Sequence, residues 1–115
     1  MKYLYLLYVD ESKMAAPGTP AFNAQNDAFN TYFAEIDGKG MFKAGDPVQQ
    51  STTSKTVRAR NGSTEASSGP FVKGGDQLVG FYVIEAGDID EAVKYAAKCP
   101  AASVGAVEVR PIFQM

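Results

Sequence analysis

Two adjacent carboxylates, Asp10 and Glu11, close a short apolar run at the amino terminus. Farther along, Ser68, Lys73 and Asp76 lie in a stretch punctuated by Gly69, Gly74 and Gly75. A carboxylate in a half-buried cleft can have its pKa raised and serve as a general base. A lysine supplies a cation, and glycines let backbone N–H groups approach a ligand. Tyr82 adds a phenol able to act as an acid. Asp10, Glu11, Lys73 and Tyr82 are therefore the catalytic candidates. Asp10, Ser68, Gly69, Lys73 and Asp76 are the ligand-binding candidates. The plainer reading of the same rim is a solvated loop with a surface ion pair worth roughly 0–1 kcal/mol.

Other residues weigh toward structure. Gly69-Pro70-Phe71 combines a permissive glycine, a fixed φ and an aromatic that would anchor the loop in the core. Tyr82 and the amino-terminal tyrosines are candidates to line a space between subunits, although a buried tyrosine usually just finds a hydrogen-bond partner. Arg110 has the fork to hold an anion, but a salt bridge is the simpler role. Cys99, beside Pro100, has no activating base nearby and reads as inert packing. Gly74-Gly75 lacks the spacing of a phosphate loop and precedes a strand.

The chain has no histidine. That removes Ser–His–Asp and Cys–His catalysis, histidine metal sites and the usual neutral-pH proton shuttle. One cysteine allows no internal disulfide and fits a reducing compartment. With few metal-ligating side chains and no calcium-loop pattern, neither a metal nor a cofactor is expected. A net charge of −2 implies no basic face, so nucleic acid is not an expected partner. The apolar run Tyr3–Val9 is too short for a signal peptide or a membrane span, which points to a cytoplasmic protein. The length of 115 residues fits one domain, 1–115.

The elements that would position these residues follow from local patterns. Lys2 to Val9 reads as a strand. Thr19-Pro20 opens a helix, with a capping hydroxyl and then a proline at the first helical position. Phe22, Phe29, Tyr32, Phe33 and Ile36 form its apolar stripe, and Gly38 and Gly40 end it. Met41 to Val48 reads as a strand whose Pro47 suits an edge or a bulge. Asn61-Gly62 joins residues 56–60 and 63–67 in a hairpin, because both turn positions need positive φ. That register sets Arg60 opposite Ser63 and Arg58 opposite Glu65. Gln77 to Glu85 is nearly all apolar and reads as a central strand. Asp88 and Glu91 form a capping box for a second helix, with Ile89, Ala92, Val93, Ala96 and Ala97 on its buried stripe and Pro100 as its stop. In the last strand Val107 and Val109 point one way, Glu108 and Arg110 the other.

The order β-α-β-(hairpin)-β-α-β predicts an α+β fold, a ferredoxin-like split β-α-β sandwich with an inserted β-hairpin. In it the first strand lies between the third main strand and the last, antiparallel to both. That places Asp10, Glu11, Ser68, Lys73 and Asp76 on one rim. The helices cover one sheet face. Tyr3, Tyr5, Phe81 and Val83 are candidates for the other, which a second copy would cover to give a homodimer.

Several segments together resemble the DGPF branch of the YCII-related proteins. They are Ser68-Gly69-Pro70-Phe71, Gln77-Leu78-x-Gly80-Phe81-Tyr82-x-Ile84-Glu85, Asp88-x-Asp90-Glu91-Ala92, Cys99-Pro100 and Val107-Glu108-Val109-Arg110-Pro111. The opening Met1–Leu4, Tyr8–Glu11, and Thr56–Arg58 with Asn61-Gly62 fit as well. The resemblance implies a bacterial, cytoplasmic protein forming a dimeric α+β barrel. It assigns no activity, and it suggests an extracytoplasmic-function sigma factor as a partner. A related branch includes a dehydrochlorinase with a His–Asp dyad, which a chain without histidine cannot carry. Ser68 stands where the family usually has the Asp of its name, and Lys73 where an acidic residue is usual. Three functions follow as expectations: a dimeric small-molecule binding or regulatory module, a cofactor-independent lyase or isomerase acting on a small polar aromatic, and a protein partner of a sigma factor.

Overall fold

Strand β1 (Lys2–Val9) is apolar or aromatic at every position after its first, so it is built to be covered on both sides. The computed structural model describes residues 1–114. Helix α1 (Pro20–Gly38) follows and is capped as its sequence predicts: the Thr19 hydroxyl accepts the Phe22 N–H at 3.1 Å. Strands β2 (Phe42–Pro47), β3 (Lys55–Arg60), β4 (Ser63–Ser68) and β5 (Gln77–Glu85) come next. Helix α2 (Ile89–Ala96), a short helix α3 (Ala101–Val104) and strand β6 (Ala106–Pro111) complete the order. Short 3-10 turns occupy Glu11–Lys13 and Ser51–Thr53.

The fold is a mixed α+β arrangement with a four-stranded antiparallel sheet in the order β2-β5-β1-β6. This is the ferredoxin-like order, and β1 lies where the sequence predicts. The hairpin β3–β4 forms a separate two-stranded sheet. Its register sets Arg58 opposite Glu65 and Arg60 opposite Ser63, and its turn residues Asn61 and Gly62 have φ of 50° and 80°.

The core lies between the sheet and the helices. Tyr3, Tyr5, Leu7 and Val9 are buried there with Tyr32, Ile36 and Ile84. This corrects the assignment of Tyr3 and Tyr5 to the uncovered face. Both belong to the helix side, where the Tyr5 hydroxyl donates to the Ala92 carbonyl at 2.5 Å. Residues directly opposite in an antiparallel pair share a face. The open face therefore carries Leu4 opposite Val83, Leu6 opposite Phe81, and Tyr8 opposite Leu78. All six are half-buried. Phe81 and Val83 are thus on the face expected, and Tyr82 is not. Helix α2 buries a narrower stripe than its sequence suggests. Ala92 and Ala96 are buried, while Ile89, Val93 and Ala97 are exposed.

Candidate functional site

The end of β1 delivers Asp10 and Glu11 to the rim, and they take different roles. Asp10 caps the first 3-10 turn. Its Oδ1 accepts the Ser12 N–H at 2.9 Å and the Ser12 hydroxyl at 2.8 Å. These hydrogen bonds hold its carboxyl below the usual carboxylate range, the opposite of the raised value a general base would need. Glu11 reaches across to the second 3-10 turn. It accepts the Ser51 N–H at 2.7 Å on Oε2 and the Ser51 hydroxyl at 2.5 Å on Oε1. Ser51 was not singled out from the sequence. Only the hydroxyl-rich run Ser51-Thr52-Thr53-Ser54 hints at it.

Asp10, Glu11, Ser51, Lys73, Gly74 and Gln77 line a notch of about 290 Å³. The predicted rim therefore brings Asp10, Glu11 and Lys73 together. Gln77 fixes the connecting loop, donating through Nε2 to the Val72 carbonyl at 3.0 Å and the Gly74 carbonyl at 3.1 Å. Gly74 and Gly75 have φ of 78° and 67°, which lets that loop fold tightly beside Lys73.

A larger cleft of about 710 Å³ adjoins the notch, and Ser51, Pro70 and Gln77 line both. Its floor is Tyr8 and Leu78 of the open sheet face, its walls include Val48, Val57 and Phe71, and Asp76 lies at its edge. Asp76 thus belongs to the cleft rather than the notch. Gly69 latches the loop to the hairpin: its N–H donates to the Ser54 carbonyl at 2.8 Å and its carbonyl accepts the Thr56 hydroxyl at 2.9 Å. Ser68 stands apart from both spaces, at the end of β4, where its hydroxyl accepts from Lys55 Nζ at 2.8 Å. Phe71 does not anchor the loop in the core. It is 69% exposed, with the Arg58 guanidinium 5.1 Å from its ring centre.

Tyr82 does not reach the rim. It lies on the helix side of β5, with ring centres 5.7 Å from Tyr32 and 6.1 Å from Phe42. Burial pushes its phenol up to about 12. Cys99 is buried and its thiol is pushed up to about 11, in keeping with a packing role. Arg110 pairs with Glu108 on the open face.

Comparison with known proteins bears on this arrangement. The model of the YCII-related domain matches residues 1–115. An uncharacterized protein of Rhizobium meliloti (strain 1021) is 33% identical over 119 residues, spanning 97% of this chain and 92% of that one. A similar solved structure is the 5-chloro-2-hydroxyhydroquinone dehydrochlorinase TftG of Burkholderia phenoliruptrix, in complex with 2,5-dihydroxybenzoquinone. Its TM-score is 0.51 at 17% identity, covering 100% of this chain and 96% of that one. At that identity the likeness speaks to the fold. No helix among the described residues is long and apolar enough to cross a membrane.

Proposed function

The chain belongs to the YCII-related family, and from that premise we propose that it is a binding module for a small polar aromatic molecule. The ring sits in the apolar cleft and the polar end in the notch. The observation that carries this reading is the continuity of the two spaces. The cleft volume of about 710 Å³ lies within the roughly 300–1,000 Å³ of small-molecule sites. Its apolar walls favour a ring, and Asp10 and Lys73 offer an acceptor and a donor at one end.

Binding is favoured over catalysis by the state of the carboxylates. Asp10 is held ionised well below neutrality, so it is a weak base for work near pH 7. Both oxygens of Glu11 are engaged by Ser51. A lyase-like activity on the same class of molecule is the second reading. It draws on the activity in the name of TftG, which is an argument from fold analogy.

Resorcinol, a neutral dihydroxybenzene, is the probe. Titration calorimetry should give saturable binding below millimolar concentration. Asp10→Asn keeps an acceptor for Ser12 and removes the charge. It should weaken binding about tenfold, as expected for a lost hydrogen bond to a charged group, with only a small fall in melting temperature. Wild-type binding should hold through mildly acidic pH and fall only where Asp10 takes its proton, below the ordinary carboxylate range. Equal affinity of wild type and Asp10→Asn, or no saturable binding, overturns the reading.

A further inference from the structure

We propose that the molecule this cleft takes is an aromatic acid, whose carboxylate is held by Lys55 at the wall formed by the β3–β4 hairpin. The proposal rests on the binding reading above and adds to it a class of ligand and a selecting residue.

The first observation is an uncompensated cation. Among the described residues, Lys55 and Asp76 are the two charged side chains that line the cleft. No ion pair among the described residues includes either of them, nor Arg58 or Lys73. Lys55 opens β3 directly opposite Ser68, the last residue of β4, and its Nζ donates to the Ser68 hydroxyl at 2.8 Å. That partner is neutral. An ammonium has three N–H donors, so two remain together with the full positive charge. Asp76 repels an anion from its own edge of the cleft, which leaves the hairpin wall to receive one.

The second observation is that this cation is held in place. An ammonium on a free lysine stem is screened by water and salt and contributes little. Here the residues on both sides of Lys55 are tied to the residue after Ser68. The Gly69 N–H donates to the Ser54 carbonyl at 2.8 Å, and the Thr56 hydroxyl donates to the Gly69 carbonyl at 2.9 Å. Stem and anchor therefore belong to one frame. A charge ordered before the ligand arrives costs less to order on binding.

The third observation decides what the anion is attached to. Val57 and Phe71, which share this wall with Lys55, are 62% and 69% exposed. The Arg58 guanidinium lies 5.1 Å from the Phe71 ring centre and adds a second cation there. Within residues 55–68, Lys55, Arg58 and Arg60 stand against the single carboxylate of Glu65, which faces Arg58 and not Lys55. The wall is thus basic in a chain of net charge −2. A ring against Val57 and Phe71 with a carboxylate on Lys55 answers both kinds of surface. An inorganic anion leaves the apolar part bare, and a neutral ring leaves the ammonium bare.

Titration calorimetry on the full chain compares resorcinol, α-resorcylate, which is resorcinol with a carboxylate on its ring, and the neutral amide of that acid. Wild type should bind the acid about tenfold more tightly than either neutral ring, as for a hydrogen bond to a charged group, and this preference should shrink in high salt. Lys55→Met keeps an apolar stem and removes the charge. It should bring the acid down to the affinity of resorcinol and leave resorcinol unchanged. Ser68→Asp keeps Lys55 and sets a carboxylate against its ammonium, and should erase the preference in the same way. Both positions are exposed, so circular dichroism should match wild type. Equal binding of all three molecules by wild type, or a preference that survives in both variants, overturns the inference while resorcinol binding leaves the earlier reading in place. If none of the three binds, that reading falls and the inference falls with it.

Discussion

Adjacent residues of one type can be given unrelated work, and Asp10 and Glu11 show how. Asp10 turns back on Ser12 and stays ionised; Glu11 turns outward and ties down Ser51. Their nearness to Lys73 was legible in the sequence, because antiparallel pairing brings the end of β1 to the start of β5. The Ser51 contact was not, because it joins residues 40 apart with no local pattern to announce it. A second group of side chains lies on the helix side of the sheet. Burial raises the phenols of Tyr5 and Tyr32 beyond the ordinary tyrosine range, takes Tyr82 to about 12, and takes the Cys99 thiol to about 11. The sign follows from linkage. A raised folded pKa means stability is fully present below the unfolded value, about 10 for tyrosine, and is lost as pH rises through the folded one. The urea midpoint should therefore hold to about pH 8.5, where the Cys99 thiol begins to ionise in the unfolded chain, and fall more steeply above about pH 10, where the tyrosines follow. Tyrosinate absorbance from these buried rings should appear together with unfolding, and Cys99 should resist a thiol reagent at pH 8 until urea is added. A folded chain that shows six fully titrated tyrosines overturns this account of the core.

Among the elements, the hairpin was the most legible, because Asn61-Gly62 meets a backbone demand that few other residue pairs meet. Strand β1 was legible in extent and not in polarity. Period-two alternation says which residues share a face, but when both faces are apolar it carries no sign for inside and outside. For that reason Tyr3 and Tyr5, which the sequence alone assigns to the open face, lie on the helix side. Helix α2 shows a similar limit. Asp88 caps it as predicted, accepting the Glu91 N–H at 2.8 Å, yet Glu91 returns to the Gly87 N–H rather than to that of Asp88. The tightest junction of elements is one no periodicity marks. Gly105, between α3 and β6, faces the backbone of Tyr8 so closely that a Cβ would collide with its carbonyl and stand 3.0 Å from the Val9 Cα. Backbone cannot move aside as a flexible side chain can. Gly105→Ala should cost about 1–3 kcal/mol, read from urea denaturation, because either α3 or the β1–β6 pairing must shift. The same substitution at Gly74 meets nothing within 4 Å and acts only through its positive φ of 78°. Equal stability of Gly105→Ala and wild type would show that the junction has slack.

For the whole molecule, one covered face and one open face lead us to expect association. The helices bury Tyr5, Ile36 and Ile84 completely, while the residues on the opposite side of the same strands stay half-accessible. Leu4, Leu6, Phe81 and Val83 form a contiguous apolar row at the centre of the sheet, flanked by the polar Asp46 and the Glu108–Arg110 pair. An apolar centre with a polar rim is the anatomy of a protein–protein contact rather than of a solvated surface. Two copies packed through this row remove it from water on both sides at once, and a two-fold axis makes the patch its own partner. Light scattering at micromolar concentration should therefore give twice 12.3 kDa. Phe81 is the sensitive position. It lies on the central strand β5 between Leu6 and Asp46, so a charge there sits inside the contact and not at its rim. Phe81→Arg should leave the helix-side core and the far-ultraviolet circular dichroism unchanged, because its side chain faces away from both. The mass should fall to that of one chain, since two unpaired guanidinium groups would be buried near the axis. A wild-type monomer, or a Phe81→Arg dimer as tight as wild type, would mean that the open face is not where copies meet.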